Sequence, residues 1–497
     1  MTTNRAKPRH LPTGVGRADV QGRTVSETLG CFKGLAVEGS PERVVVGKQR
    51  AALGKLRGGA PLWVAIVAFA WLSSPGLGQE GTWTTRTPMP TARTALASAV
   101  VDGRLYAVGG DIPSSGPNIA LGTTEVYDPS GASWGSKRPM PTPRYGAGAA
   151  VREGIIYVVG GLDSSNMPTS AVEAYNTKTD TWISKAPLPT ARAGLVLASV
   201  EGILYAIGGF RPGFNNTNYK TVEAYDPKTN TWTTKASMPT ARCCMASGVI
   251  NNLIYVAGGT RFIGHGGTET PGSLEVYNPK NDSWITKSPM PTGRGGSAGA
   301  VLDGKLYVAG GILAPLYTDL IKETVESYEP LTDGWSSQPP MPTARLTPAS
   351  GVLGDTLYVI GGLDRNGAAV GVNEAFSPFL AVGIDIKTGE TQNTINLKSK
   401  GVVPVAILGS ATFDPMTVDP ATVTLAGAPV ATRGRGEPMT SQGDFNHNGY
   451  LDLLLHFRIQ DLQLTPTSTE AVLYGQTFSG QRLRGSDGVR IIVPGRP

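Results

Sequence analysis

The 497-residue sequence is short of the residues that most site chemistry needs. It holds 3 cysteines and 4 histidines. Cys31 stands alone near the amino terminus, and Cys243 and Cys244 are neighbours. No disulfide framework and no CxxC metal spacing can be built from them. Charged residues make up only 16% of the chain. The excess of Lys and Arg is confined to residues 1–78, which carry 11 of them against 4 Asp and Glu; the remainder has 33 against 34. With no Lys/Arg stripe interleaved with aromatics in that remainder, a nucleic-acid interface is excluded. No apolar run reaches the roughly 20 residues of a membrane-spanning helix. What the chain has in plenty is Gly (65) and Pro (38), a profile of many short strands and tight turns. An all-β protein is expected.

The longest apolar run, residues 60–73, has the length of a signal-peptide core. Lys48, Arg50, Lys55 and Arg57 precede it, and Gly76 and Gly78 follow at cleavage-like spacing. Residues 44–78 are therefore read as a signal peptide, and the mature protein is expected outside the cytoplasm, secreted or periplasmic. Residues 1–43 lack apolar periodicity. They are read as an unstructured leader, mistranslated upstream of a true start at Val44, Val45 or Val46. An uncleaved membrane stem is the rival reading. Once processed, the chain is expected to be monomeric and not integral to a membrane.

Self-similarity decides the fold. Trp83, Trp134, Trp182, Trp232, Trp284 and Trp335 recur at intervals of 51, 48, 50, 52 and 51 residues. Each is followed by a Pro-rich turn ending in arginine (PMPTAR, PMPTPR, PLPTAR, SMPTAR, PMPTGR, PMPTAR), a strand of small residues, and a second strand ending in Gly-Gly. A variable loop comes next, then a strand of the VEAY kind whose Tyr lies seven residues before the next Trp. Four short antiparallel strands per unit make one propeller blade.

This set of Arg, YxxGG, Tyr and Trp on a period near 50 resembles the kelch repeat over residues 81–378. The resemblance implies a six-bladed kelch β-propeller, assigned to residues 79–380. Trp83 has no aromatic seven residues before it, and Phe376 has no Trp seven residues after it. The strand around Trp83 is therefore expected to complete the last blade, removing the free edges of an open ring.

Residues repeated in every blade are assigned to structure: the Gly pairs, Tyr, Trp, and Glu125, Glu173, Glu223, Glu275, Glu326 and Glu374. Cys243-Cys244 falls where other repeats have Thr94-Ala95 or Gly295-Gly296, a tight packing position; as neighbours, the two cysteines close only a strained vicinal disulfide. The arginines (Arg93, Arg144, Arg192, Arg242, Arg294, Arg345) are candidate ligand-binding residues. Each opens the innermost strand of a blade, on the face that carries the variable loops. In eukaryotic kelch proteins that capture acidic peptides, arginines at this motif position help line the pocket, and a guanidinium ring suits carboxylates or acidic sugars. The competing reading has each arginine bracing its own blade through a Glu or a carbonyl. In the variable loops, Arg211, Phe214, Arg261 and His265 are further candidate contacts, beside Phe210, Tyr219, Phe262 and Tyr317. A carbohydrate or protein ligand is expected on this face. The alternative is a sialic-acid mutarotase-like enzyme, for which no acid/base pair can be named outside the repeated glutamates. Galactose-oxidase-like copper chemistry is excluded, because the propeller has a single histidine. No catalytic residue and no propeller cofactor are assigned.

After Pro378 the repeat stops. Runs such as VVPVAIL, ATVTLAG, LDLLLHF, AVLYGQTF and GVRIIVP, separated by Gly, Pro and Asp, predict a β-sandwich over residues 381–497. It resembles a module common at the end of exported bacterial proteins. Asp444, Asn446, Asn448, the Tyr450 carbonyl and Asp452 follow the oxygen spacing of a calcium loop, with Gly449 sixth. Calcium is the expected ion. Leu455 replaces the bidentate Glu, so another ligand (Asp414 or Asp419) has to join or affinity is weak. An Asn/Gly-rich turn without metal is the alternative. His447 and His456 are read as a turn and a strand residue.

Overall fold

The structure, a computed structural model, describes residues 81–492 except 115–117, 214–215, 264–266 and 391. The expected leader and signal peptide lie outside the described residues. Within them, regular structure is β-strand apart from three-residue 3-10 turns. None of the described residues forms a helix long and apolar enough to cross a membrane.

Between Thr82 and Ser377 the described strands form six four-stranded antiparallel sheets. Sheet I contains Ala97–Val101, Arg104–Val108, Thr124–Asp128 and Ser133–Lys137. Sheets II to V repeat this pattern. Sheet VI takes Ala349–Leu353, Thr356–Ile360 and Asn373–Ser377, and its fourth strand is Thr82–Arg86, with Trp83 opposite Phe376. The edge strand expected from the missing aromatic partners is thus the amino-terminal one.

Strand composition follows position in the sheet. The innermost strands are built of Ala, Ser, Gly and Val, because adjacent sheets approach most closely there and their inner strands pack side by side. The second and third strands, such as RLYAV and TEVYD, are buried on both faces; the second is mainly apolar, and the third adds a buried glutamate to its apolar residues. The outermost strand is exposed except at its Trp. Five of the turns joining first and second strands, Asp102-Gly103 among them, have positive φ at both residues, the geometry that two-residue hairpins require.

Three series of contacts stitch each sheet to the next. Each indole N–H donates to a carbonyl four residues after the preceding Trp, as Trp134 does to Thr87 at 2.9 Å. The Tyr of each YxxGG packs on an aromatic of a neighbouring sheet, as Tyr106 does on Tyr175 with ring centroids 6.1 Å apart. The third series lies nearest the axis. Gly146 N–H donates to Ala95 O (2.8 Å), Gly194 to Gly146 (2.8 Å), Cys244 to Gly194 (2.8 Å), Gly296 to Cys244 (2.8 Å), Thr347 to Gly296 (2.7 Å), and Ala95 to Thr347 (3.2 Å), which returns to the start. All six residues have φ between 48° and 63°. This is a β-propeller fold.

Beyond Phe379 two further sheets enclose one apolar cluster. One comprises Leu380–Ala381, Arg482–Gly488, Glu470–Thr477, Val418–Leu425 and Ala428–Pro429; the other comprises Ile384–Ile386, Val402–Ile407, Asp452–Arg458 and Thr440–Gly443. Val405, Leu425, Leu455, Phe457, Leu473 and Leu483 fill the space between them, each fully buried. Arg482–Gly488 is a strand that the apolar runs did not reveal.

Candidate recognition face

The spacing of the sequence places the repeated arginines at the mouth of the propeller. All six are 0% exposed. Each meets the glutamate of its own sheet: Arg93–Glu125, Arg144–Glu173 and Arg192–Glu223 at 2.5 Å, Arg242–Glu275 at 3.1 Å, Arg345–Glu374 at 2.7 Å, and Arg294–Glu326. Nη2 of Arg93 also donates to Ala107 O at 3.1 Å, and Thr91 Oγ1 donates to the other oxygen of Glu125 at 2.8 Å. Burial lowers the guanidinium pKa, down to about 10 for Arg345, and the Glu374 carboxylate opposes that pull. The exposed guanidinium ring expected from the sequence is therefore corrected. Every repeat supplies its own carboxylate and carbonyls, so each guanidinium is paired inside the wall. Nε of Arg93, Arg144, Arg242 and Arg345 and Nη1 of Arg242 find no hydrogen-bond partner there, and at 0% exposure no guanidinium is presented to a ligand.

The opening itself is built from backbone. It is lined by two residues of each sheet, Ala95-Leu96 through Thr347-Pro348. The six ring amides all donate to neighbouring carbonyls, which leaves none to hold an anion. Below lies a channel of about 390 Å³ lined by Ala, Gly, Ser, Val, Leu, Met and Pro from the inner strands. Its polar side chains are engaged in part across sheets: Ser98 donates to Ser350 O (2.7 Å) and Ser350 to Gly299 O (2.9 Å). No described lining residue is an acid or a base.

Around the opening stand the loops that follow Gly-Gly. Arg211 is exposed, at the start of a short hairpin with Thr217–Asn218. Arg261 is half-exposed and paired with Glu269 at 2.9 Å. Phe214 and His265 lie outside the described residues. Phe210 is fully buried and packs at a tilt against Phe262, with ring centroids 5.5 Å apart, so it supports the face and is not a contact on it. The contacts the sequence did not single out are apolar: Ile119 and Met167 are both 53% exposed and Ile263 41%; Tyr317, noted among the loop aromatics, is 43% exposed. They come from four different loops. Cross-loop hydrogen bonds hold these loops in place: Ala120 N to Ser164 Oγ (3.2 Å), Asn218 Nδ2 to Phe262 O (3.0 Å), Ala314 N to Thr270 Oγ1 (3.1 Å) and Arg365 Nε to Ile321 O (3.0 Å).

The opposite face is partly covered. Asp303 and Asp355 sit in turns between first and second strands, at the far end of the channel from the variable loops. Arg482 of the carboxy-terminal domain pairs with Asp303 at 2.6 Å and stacks over Phe379, with its guanidinium 4.2 Å from the ring centroid. Arg484 approaches Asp355 at 3.4 Å, and Tyr474 OH donates to the same carboxylate.

In the expected calcium loop, Asp444 accepts from the N–H groups of Asn448 and Gly449, Asn446 from Asn448, and Asn448 from Tyr450, at 2.9–3.1 Å. These turns gather the side-chain oxygens of residues 444, 446 and 448. Asp452 behaves differently. It is fully buried, and its two oxygens accept from Gly409 N (2.7 Å) and Phe445 N (2.8 Å), a strut between loops. Asp414 and Asp419 serve turns of their own, at Met416 and Ala421. Among the described residues, no three His, Cys, Asp or Glu side chains gather as a metal site. His456 lies in a strand and His447 in a turn at φ 59°.

Comparison with known proteins bears on the propeller. Residues 82–321 match the Attractin/LZTR1 beta-propeller family. Human Kelch-like protein 28 is 38% identical over 96 residues, 18% of this chain and 17% of that protein. Kelch-like protein terF of Aspergillus terreus is 34% identical over 96 residues, 18% and 21% of the two chains. Beta-scruin of Limulus polyphemus is 38% identical over 80 residues, 16% and 8%. The chain thus spans less than a quarter of the length of these relatives. The solved structure titled "Structure of YjhT" overlays with a TM-score of 0.49 at 18% identity, covering 57% of this chain and 95% of that one. The propeller is similar to kelch-type propellers.

Proposed function

We propose that this chain is an exported recognition module, a closed six-bladed kelch propeller followed by a β-sandwich, that takes a protein partner on its loop face. The observation that carries this reading is the placing of Ile119, Met167, Ile263 and Tyr317 on one pre-formed face, while the other face is partly taken by the carboxy-terminal domain. Exposed apolar side chains contributed to one face by separate loops, with polar residues between them, are the composition of a protein contact. Export rests on the apolar run at residues 60–73. Against the mutarotase-like alternative, the repeated arginines and glutamates are buried in mutual pairs, and the described channel wall carries no acid or base.

A photo-reactive residue placed at Ile263 or Tyr317 should crosslink to a protein of the extracytoplasmic fraction. The same residue at Leu331, 94% exposed in a turn on the far side, should not. Equal capture at Leu331 would remove the reading. Binding to a glycan array, abolished by Tyr317→Ala, would replace it with carbohydrate recognition.

For the carboxy-terminal domain we propose weak calcium binding through Asp444, Asn446, Asn448 and the Tyr450 carbonyl. With Asp452 committed as a strut, one carboxylate remains, and low affinity follows from so little ligand charge.

A further inference from the structure

Cys243 and Cys244 are neighbours in sequence, and in an extended strand neighbouring side chains point to opposite sides. Here their sulfurs are 3.5 Å apart. The cause is the axial circle of hydrogen bonds. Its geometry holds Cys244 at φ 55°, as it holds the equivalent residue of every other sheet in the same left-handed region. That conformation turns the Cys244 side chain back toward the side of Cys243. The other sheets carry Thr94-Ala95, Tyr145-Gly146, Ala193-Gly194, Gly295-Gly296 and Leu346-Thr347 at this point, so two sulfurs converge in sheet IV alone.

The surroundings suit reaction at one sulfur and resolution by the other. Cys244 is half-exposed and lines the opening of the channel. Its sulfur leans over Gly194 of the adjoining sheet, where a Cβ would come within 2.9 Å of it, so the glycine makes the room. Cys243 is fully buried, its backbone paired with Thr260 in both directions (3.0 and 2.8 Å). The sequence reading of this pair as packing residues accounts for Cys243 and leaves the exposure of Cys244 unexplained.

We propose that Cys243 and Cys244 form a thiol–disulfide exchange site at the mouth of the channel, reacting with low-molecular-weight disulfides of the glutathione class. The Cys244 thiolate attacks one sulfur of the incoming disulfide, forming a mixed disulfide and releasing one thiolate. The Cys243 thiolate then attacks Cys244 Sγ, forming the vicinal bond and releasing the second. Two protein thiols are oxidised, one disulfide is reduced to two thiols, and the two protons given up by the cysteines pass by way of solvent to the two released thiolates. The sulfurs have to close from 3.5 Å to about 2.05 Å. Neighbouring Cα atoms sit about 3.8 Å apart, closer than the usual disulfide span, so the product is strained and easily reduced. Oxidation draws the Cys244 sulfur off Gly194 and changes the bore of the opening reversibly.

The test is peptide-level mass spectrometry of the reduced full chain after exposure to oxidised glutathione. Wild type should lose two hydrogens in the peptide bearing both cysteines and regain them with reduced glutathione. Cys243→Ser should instead accumulate a stable glutathione adduct on Cys244, and Cys244→Ser should lose all reactivity at this peptide. Three results would overturn the proposal: a lasting adduct on wild type without hydrogen loss, no adduct on Cys243→Ser, or a disulfide to Cys31 in place of the vicinal one. Unaltered thermal midpoints of both serine variants under reducing conditions establish that folding is not the cause.

Discussion

The indole N–H of Trp83 donates to the carbonyl of Pro339 at 2.8 Å, across 256 residues of chain. Trp83 stands on the amino-terminal strand of sheet VI, and Pro339 follows the outer strand of sheet V, so this bond clamps the start of the chain between the last two sheets. Trp134 of sheet I makes the same bond to Thr87, beside that strand, and so ties the first sheet to the last. Trp83→Ala removes the bond and the stacking on Phe376, whose ring centroid is 5.2 Å away. The expected loss is about 3 kcal/mol, read as a lower denaturant midpoint. Removing residues 81–86 altogether should cost more. An unchanged midpoint in either variant would mean that the last sheet stands without its fourth strand.

The buried ion pairs behave asymmetrically. Glu223→Ala leaves Arg192 charged and without its carboxylate in a fully buried site, at a cost of roughly 3–5 kcal/mol. Replacing both partners, Arg192→Met with Glu223→Leu, should cost clearly less than the single change. Chemical denaturation of the two variants decides it; equal losses would show that the pair contributes through packing alone.

Asp111 sets a pH dependence of its own. It is fully buried, and burial pushes its carboxyl pKa up to about 7, against the opposing hydrogen bond from Asn118 at 2.5 Å. The folded state then holds the proton more tightly than the unfolded state. Stability present below about pH 4 is lost as the pH rises toward 7, by up to about 1.4 kcal/mol per pH unit, and stays level above that. Thermal midpoints measured from pH 4 to 8 should show this slope in wild type and lose it in Asp111→Asn. The variant should also be the more stable at pH 7.5. A slope retained in the variant would assign it to other groups.

Calcium at 10 mM should stabilise the carboxy-terminal domain by about 1–3 kcal/mol, as expected of a site in the range of 10⁻⁴–10⁻³ M. Asp444→Ala should abolish the gain, with stability in chelator lowered by about 1–2 kcal/mol because the N–H groups of Asn448 and Gly449 lose their acceptor. Calorimetry that finds the same gain in the variant would move the ion elsewhere.

Much of the propeller was visible in the spacing of Trp, Gly-Gly and Tyr, because large apolar residues on a fixed period have few ways to pack. The direction of the arginines was harder to see, since their partners lie 29–33 positions later, on the third strand of the sheet. The signal was present in the six matching glutamates: equal numbers of repeated opposite charges point to pairing. Asp111 was missed because it occurs once. Aligned with Leu162, Phe210, Thr260, Ile312 and Leu363 at the position after Gly-Gly, it stands out as a carboxylate at a site that is mostly apolar. The strand Arg482–Gly488 escaped notice because its inward positions include Gly485, which leaves Leu483 as its one large apolar residue and no run to detect.

The axial circle of amides also bears on how such a chain can change in length. In an open stack of repeats, a unit gained or lost leaves the remaining neighbours as they were. Here each N–H at the mouth is matched to the carbonyl next to it, with Ala95 and Thr347 completing the count. Removing one repeat by recombination strands a donor on one side and an acceptor on the other, and the curvature of the rest no longer brings them together. The number of units is therefore inherited as a whole, while the loops above them remain free to vary one at a time.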